Sequence, residues 1–194
     1  GPSPSRTGPA PFPPVDASRR PCRHLHPRPA RAGLIEDPYL DRHEHDLAWT
    51  GECDVVYRTS FAWAPSGADR ADLVARSLDT AATVVLNGQR IAEVQNEHRS
   101  WRFDVTDQLV EGDNELEIRF ASPLRTAREN IEVLGDLPKV GNELPYNAIR
   151  KMACNFGWDW GSGAGDQRHR RSDRARGVVL GAARRGPPQV TRVA

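Results

Sequence analysis

Between Gly33 and Gly161, apolar side chains recur in short runs that are too brief for helices and are separated by turn residues. Val55-Val-Tyr-Arg-Thr-Ser-Phe-Ala-Trp63 has the β-branched and aromatic content of a strand, and Pro65-Ser-Gly67 ends it. Asp72–Leu78 reads as a second strand. Thr80–Leu86 and Gln89–Val94 flank Asn87-Gly88, a pair suited to a tight hairpin because both residues tolerate positive φ. Trp101-Arg-Phe-Asp-Val105 alternates large apolar with charged side chains, as a half-buried strand does, and Glu115–Phe120 repeats this after a Gly112-Asp-Asn114 turn. One segment departs from the pattern. Ser122-Pro123 offers an N-cap and a proline at the first helical position, Leu124–Leu134 follows with helical character, and Gly135 supplies a stop. Many short strands with one helical excursion over 123–134 predict an all-β protein, an antiparallel β-sandwich.

Outside this stretch the periodicity disappears. Residues 1–32 mix Pro, Arg, Ser and Ala, and residues 162–194 are rich in Gly and Arg, so both are expected to be disordered or irregular tails around a domain at 33–161. The net charge of +1 conceals this division. Residues 33–161 carry 11 Arg and 2 Lys against 23 Asp and Glu; residues 1–32 carry six Arg and one Asp, and residues 162–194 eight Arg and two Asp. Basic tails can act as nucleic-acid arms, but these hold a single aromatic, Phe12, for base stacking, and no nucleic-acid partner is expected. No apolar run reaches the roughly 18 residues of a membrane helix, so no membrane association is expected. Cys22, Cys53 and Cys154 form no CxxC pair and imply no disulfide framework; Cys53 reads as a free thiol, and a reducing cytoplasm is the expected location. The chain opens on Gly1 rather than Met and without a signal segment, so it reads as a fragment.

The chemistry is concentrated in Asn147-Ala-Ile-Arg-Lys-Met-Ala-Cys-Asn-Phe-Gly-Trp-Asp-Trp-Gly161. An indole offers a flat apolar face to the C–H side of a sugar ring, and a neighbouring carboxylate accepts hydrogen bonds from sugar hydroxyls. Trp158, Asp159 and Trp160 thus have the makings of a carbohydrate subsite. The competing reading is a packed aromatic turn in which Asp159 caps a backbone N–H. Arg150 reads as a structural partner for a nearby carboxylate. His43 and His45, with Cys22, His24 and His26, lack the ligand-pair spacings of a structural zinc site, so no metal is expected. No cofactor is expected either.

An ordered series of segments resembles the N-terminal sugar-binding domain of the β-mannosidases of glycoside hydrolase family 2. It runs through Ala32-Gly-Leu-Ile-Glu-Asp-Pro-Tyr39, Leu47-Ala-Trp49, Tyr57–Phe61, Leu78-Asp-Thr80 and Val85-Leu-Asn-Gly88. It continues through His98–Asp104, Glu111–Leu116 and Ser122-Pro-Leu-Arg125, and closes on Phe156-Gly-Trp-Asp-Trp-Gly161. The resemblance implies a jelly-roll, galactose-binding-like version of the sandwich, here incomplete. It implies a retaining exo-glycosidase that removes terminal β-mannose, with two carboxyl groups about 5–5.5 Å apart. In the family both are glutamates of a (β/α)8 barrel that this chain does not contain, so the chain alone is expected to be catalytically inactive. By the same resemblance Trp158 packs against the sugar of the −1 subsite and Asp159 binds its hydroxyls, while Trp160 either joins them or holds the turn. The implied partners are a β-mannoside oligosaccharide and the missing barrel. A free-standing carbohydrate-binding module and a decayed gene product without function are the alternatives.

The family pattern also gives the tails an origin. After Gly161 it continues with a strand of the form Pro-x-x-Val-Thr-x-Gly-Ile-Trp, which this chain lacks. Arg outnumbers Lys by 25 to 2, as GC-rich coding DNA gives. Codons can be chosen for residues 161–170 whose next reading frame gives Gly-Pro-Gly-Pro-Val-Thr-Ser-Gly-Ile, and a similar choice restores a family-like stretch beneath residues 21–30. Both tails are therefore expected to be out-of-frame translation.

Overall fold

The computed structural model describes residues 43–46, 48–65, 67, 69–141, 143–157, 178–183 and 189–192. In chain order these form a short helix α1 (His43–Asp46), then β1 (Val55–Trp63), β2 (Arg70–Ala75), β3 (Ala81–Leu86), β4 (Gln89–Gln95), β5 (Trp101–Asp104) and β6 (Gly112–Phe120). Helix α2 (Pro123–Leu134), β7 (Val178–Ala183) and β8 (Gln189–Arg192) follow, with 3-10 turns at Ala48–Glu52, Tyr146–Ala148 and Ala153–Phe156. The strands make two antiparallel sheets, ordered β1-β6-β3-β4 and β5-β2-β7-β8, the β-sandwich expected from the sequence.

The core follows from period-two alternation. Leu116, Ile118 and Phe120 of β6 and Ala82, Val84 and Leu86 of β3 face one side, where they meet Ala71, Leu73 and Ala75 of β2. Tyr57 packs edge-on against Phe120 at 5.7 Å between ring centres. The outward positions are charged and paired: Glu117 lies between Arg58 and Arg119, and Asp72 accepts from Arg70 at 2.8 Å and Arg102 at 2.9 Å.

The β3–β4 hairpin turns on Asn87 (φ 50°) and Gly88 (φ 79°), both left-handed, as a primed turn requires. Asn87 does more than turn the chain: its amide donates to Gln108 O and Asn114 Oδ1, each at 2.8 Å, and its Oδ1 accepts from Glu115 N at 2.9 Å. Asn114, in the segment expected to be a turn, is instead buried within β6, which begins at Gly112 and pairs with β1 from Trp63 onward. Its amide donates to Val110 O at 2.8 Å and Gly112 O at 3.0 Å. At the far end, β2 stops at Ala75, short of the expected Leu78, although Leu78 is fully buried in the core.

Two further expectations differ from the structure. Residues 178–183 and 189–192 fall in the stretch read as a disordered tail, yet form β7 and β8, with β7 antiparallel to β2 from Arg70↔Ala183 to Ala75↔Val178. The β-branched residues of Val178-Val-Leu180 and Val190-Thr191 suit strands whatever the composition around them. The second sheet therefore draws on residues beyond 161. Cys53, expected as a free thiol, is disulfide-bonded, whereas Cys154 is free.

Candidate functional site

Helix α2 and the chain from Leu137 to Phe156 form a second apolar cluster beside the sandwich. Leu124, Ala127, Ala148, Ile149 and Phe156 are buried in it, with Ile131, Leu137, Leu144 and Tyr146 packed around them. Ser122 starts the helix as the sequence predicts: its Oγ accepts from Arg125 N at 3.0 Å while donating to Gly51 O at 2.8 Å. Polar groups then fix the path of the backbone toward residue 157. Asn130 donates to Ala148 O at 2.8 Å, and Asn147 to Pro138 O at 2.6 Å and Leu137 O at 3.2 Å.

The strongest anchor is electrostatic. Lys151, with 1% of its side chain exposed, donates to Asp79 Oδ1 at 2.7 Å and Oδ2 at 2.6 Å. Glu97 grips the same segment from the end of β4: its N–H donates to Arg150 O at 3.1 Å and its Oε1 accepts from Met152 N at 3.1 Å. Burial by itself raises the Asp79 carboxyl, but the Lys151 charge and hydrogen bonds with Glu97, Lys151 and Thr80 outweigh it and hold it at about 2. Glu97 goes the other way. Burial first, then the hydrogen bond and charge of Asp79, push it up to about 7 against the opposing pull of Lys151 and Met152 N–H. A cleft of about 480 Å³ opens beside this segment, with His98, Leu134, Leu137, Asn147, Arg150 and Lys151 among its walls.

Trp158, Asp159 and Trp160 lie outside the described residues, which reach the motif from its N-terminal side through Asn155 and Phe156, both buried, to Gly157. Arg150, expected to pair with a carboxylate, is exposed, and among the described residues no ion pair reaches it; its neighbour Lys151 takes that role. The reason is direction: the Arg150 backbone bridges to Asn96, so the next side chain along points inward. Neither Asp79 nor Glu97 is marked as a site residue by its local sequence, since Asp79 meets Lys151 across 72 positions of chain and only the fold joins them. Among the described residues no group of His, Cys, Asp and Glu is placed to hold a metal ion, and no helix is long and apolar enough to cross a membrane.

Comparison with known proteins covers this same stretch. The model of the glycosyl hydrolase 2 galactose-binding domain-like family matches residues 23–166, which include Trp158, Asp159 and Trp160. Among curated proteins, β-mannosidase B of Thermothelomyces thermophilus is 38% identical over 140 residues, 66% of this chain and 15% of that protein. The β-mannosidase of Capra hircus is 33% identical over 138 residues, 66% of this chain and 16% of its own length. Among solved structures, β-D-mannosidase from Dictyoglomus thermophilum superposes with a TM-score of 0.67 at 33% identity, covering 71% of this chain and 17% of that one. The chain thus spans about one sixth of the length of these relatives. With three quarters of its residues inside the family model and the sandwich in place, the chain belongs to the galactose-binding-like domain family of the family 2 glycosyl hydrolases.

Proposed function

We propose that this chain is the non-catalytic sugar-binding domain of an exo-β-mannosidase, and that it forms one wall of the −1 subsite for a terminal β-mannose. Trp158 stacks on the sugar ring, Asp159 accepts hydrogen bonds from its hydroxyls, and Trp160 closes the turn or extends the wall. The ligand is a β-mannoside oligosaccharide. The two carboxyl groups of a retaining hydrolase come from the (β/α)8 barrel of the parent enzyme, so this chain contributes binding and orientation, not bond cleavage. The observation that carries the reading is the similarity to β-mannosidases over the stretch that ends in the Trp-Asp-Trp run. The anchoring of residues 149–152 to Asp79 and Glu97 supports it, because a subsite wall has to be held rigidly.

Ligand-observed saturation-transfer NMR with mannobiose tests the proposal. The 194-residue chain is expected to transfer saturation to the sugar, to lose that transfer in Trp158→Ala, and to release no mannose. Transfer unchanged in Trp158→Ala, or hydrolysis by the chain itself, contradicts it. Tight saturable binding, also abolished in Trp158→Ala, would instead favour a free-standing binding module.

A further inference from the structure

Two carboxyl groups and one ammonium meet at a largely buried point, where the side chains of Lys151, Glu97 and Asp79 are 1%, 8% and 22% exposed. Lys151 gives its short hydrogen bonds to Asp79, while its Nζ stands 3.9 Å from Glu97 Oε2. The buried Oε2 of Glu97 receives a hydrogen bond from no donor among the described residues, so its contact with Asp79 lacks a hydrogen unless one of the two carboxyl groups is protonated. As an anion, Glu97 would have one oxygen unsatisfied and a second carboxylate beside it, and the cluster would carry an uncompensated negative charge. A proton on Oε2 removes both faults. The O–H would then donate to the Asp79 carboxylate, which shares Lys151 Nζ with it at 2.6 and 3.9 Å, and Asp79, Lys151 and neutral Glu97 sum to zero.

We propose that Glu97 and Asp79 share one proton above the Lys151 ammonium, and that this proton makes Glu97 a positioning residue for the segment that leads into the sugar subsite. Residue 97 is well placed for this. Its carbonyl is held by Ser77 Oγ at 2.8 Å, its N–H by Arg150 O, and its Oε1 holds Met152 N, six positions before Trp158. The groups facing it are Asp79 from the loop before β3, Lys151 from the 149–152 segment, and His98 beside it, whose Nδ1 is 3.9 Å from Oε1 and half exposed. Losing the proton adds a buried negative charge that repels Asp79 and competes for Lys151. With Glu97 pushed up to about 7, that loss falls close to neutral pH. The consequence for sugar affinity rests on the sugar-binding function proposed above; the shared proton does not.

An NMR pH titration of the whole chain, labelled with 13C at the glutamate carboxyls and 15N at methionine, separates the two. One glutamate is expected to titrate near 7, with the Met152 amide following the same midpoint. Both titrations are lost in Glu97→Gln, which keeps the shape of the protonated acid, and the midpoint falls by about one unit or more in Asp79→Asn. If every glutamate titrates near its ordinary value of about 4.3, or a midpoint near 7 does not move in a folded Asp79→Asn, the shared proton is overturned. If Asp79→Asn does not fold, the wild-type midpoint and its loss in Glu97→Gln decide alone. Mannobiose affinity in the same samples is expected to weaken about threefold, the effect of a half-unit shift, as Glu97 ionises, and to stay level in Glu97→Gln. Wild-type affinity that ignores pH overturns the positioning role, and absence of binding at any pH counts against the sugar-binding function while the glutamate titration still decides the proton.

Discussion

With 1% of its side chain exposed, Lys151 has exchanged water for the two oxygens of Asp79, an exchange that is favourable only while both partners are present. Lys151→Met therefore leaves a buried carboxylate without its cation and is expected to cost about 3–5 kcal/mol in urea denaturation. Adding Asp79→Leu should recover part of that loss; a double variant as unstable as the single one would show that the pair is not the source. The two carboxyl groups give opposite pH dependences. Asp79, held at about 2 in the folded chain, lies below its unfolded value, so its contribution is present above about 3.9 and is lost as pH falls through about 2. Glu97, pushed up to about 7, lies above its unfolded value of about 4.3. The folded chain holds the extra proton between those two values, so stability declines as pH rises through that window and is level above it. Glu97→Gln should flatten the wild-type slope there, and parallel profiles for the two proteins would refute this.

At the scale of elements, α2 and its cap decide how the approach to the motif is seated. Ser122 is fully buried, caps Arg125 N, donates to Gly51 O, and has its own N–H bonded to Asp54 at 2.8 Å. Ser122→Ala is expected to cost about 1–2 kcal/mol, measured by chemical denaturation. A change within a few tenths would mean the helix is held by its apolar face alone. This helix was legible because Ser122-Pro123 and Gly135 carry their own local reasons for starting and stopping, and the β3–β4 hairpin was legible from Asn87-Gly88 for the same reason. The start of β6 was not, since Gly112-Asp-Asn114 is sound turn chemistry until cross-strand pairing with Trp63, Ala62 and Phe61 overrides it. The anchor of Lys151 was equally hidden, because its partners Asp79 and Glu97 are joined to it only by the fold. The Trp158-Asp159-Trp160 run could be read as chemistry from its residue types, which is a different matter from its geometry.

Over the whole molecule, β7 sits between β2 and β8 and covers the hydrogen-bonding edge of β2. Ending the chain at residue 177 would leave Arg70–Ala75 with one edge unpaired, and sedimentation is expected to show association that the 194-residue chain resists. A monodisperse truncated monomer would mean that β7 contributes little. The proposed sugar subsite can be probed in a working enzyme. Residues 23–166 would replace only the residues that match them in the Dictyoglomus thermophilum β-D-mannosidase, leaving that enzyme's own following chain in place, with kcat/KM measured on an aryl β-D-mannoside. The chimera is expected to hydrolyse it, and Asp159→Ala in the folded chimera to lower kcat/KM by about 100-fold, as loss of a charged hydrogen-bonding partner does. An active chimera in which Asp159→Ala and Trp158→Ala leave kcat/KM unchanged would rule out the proposed subsite.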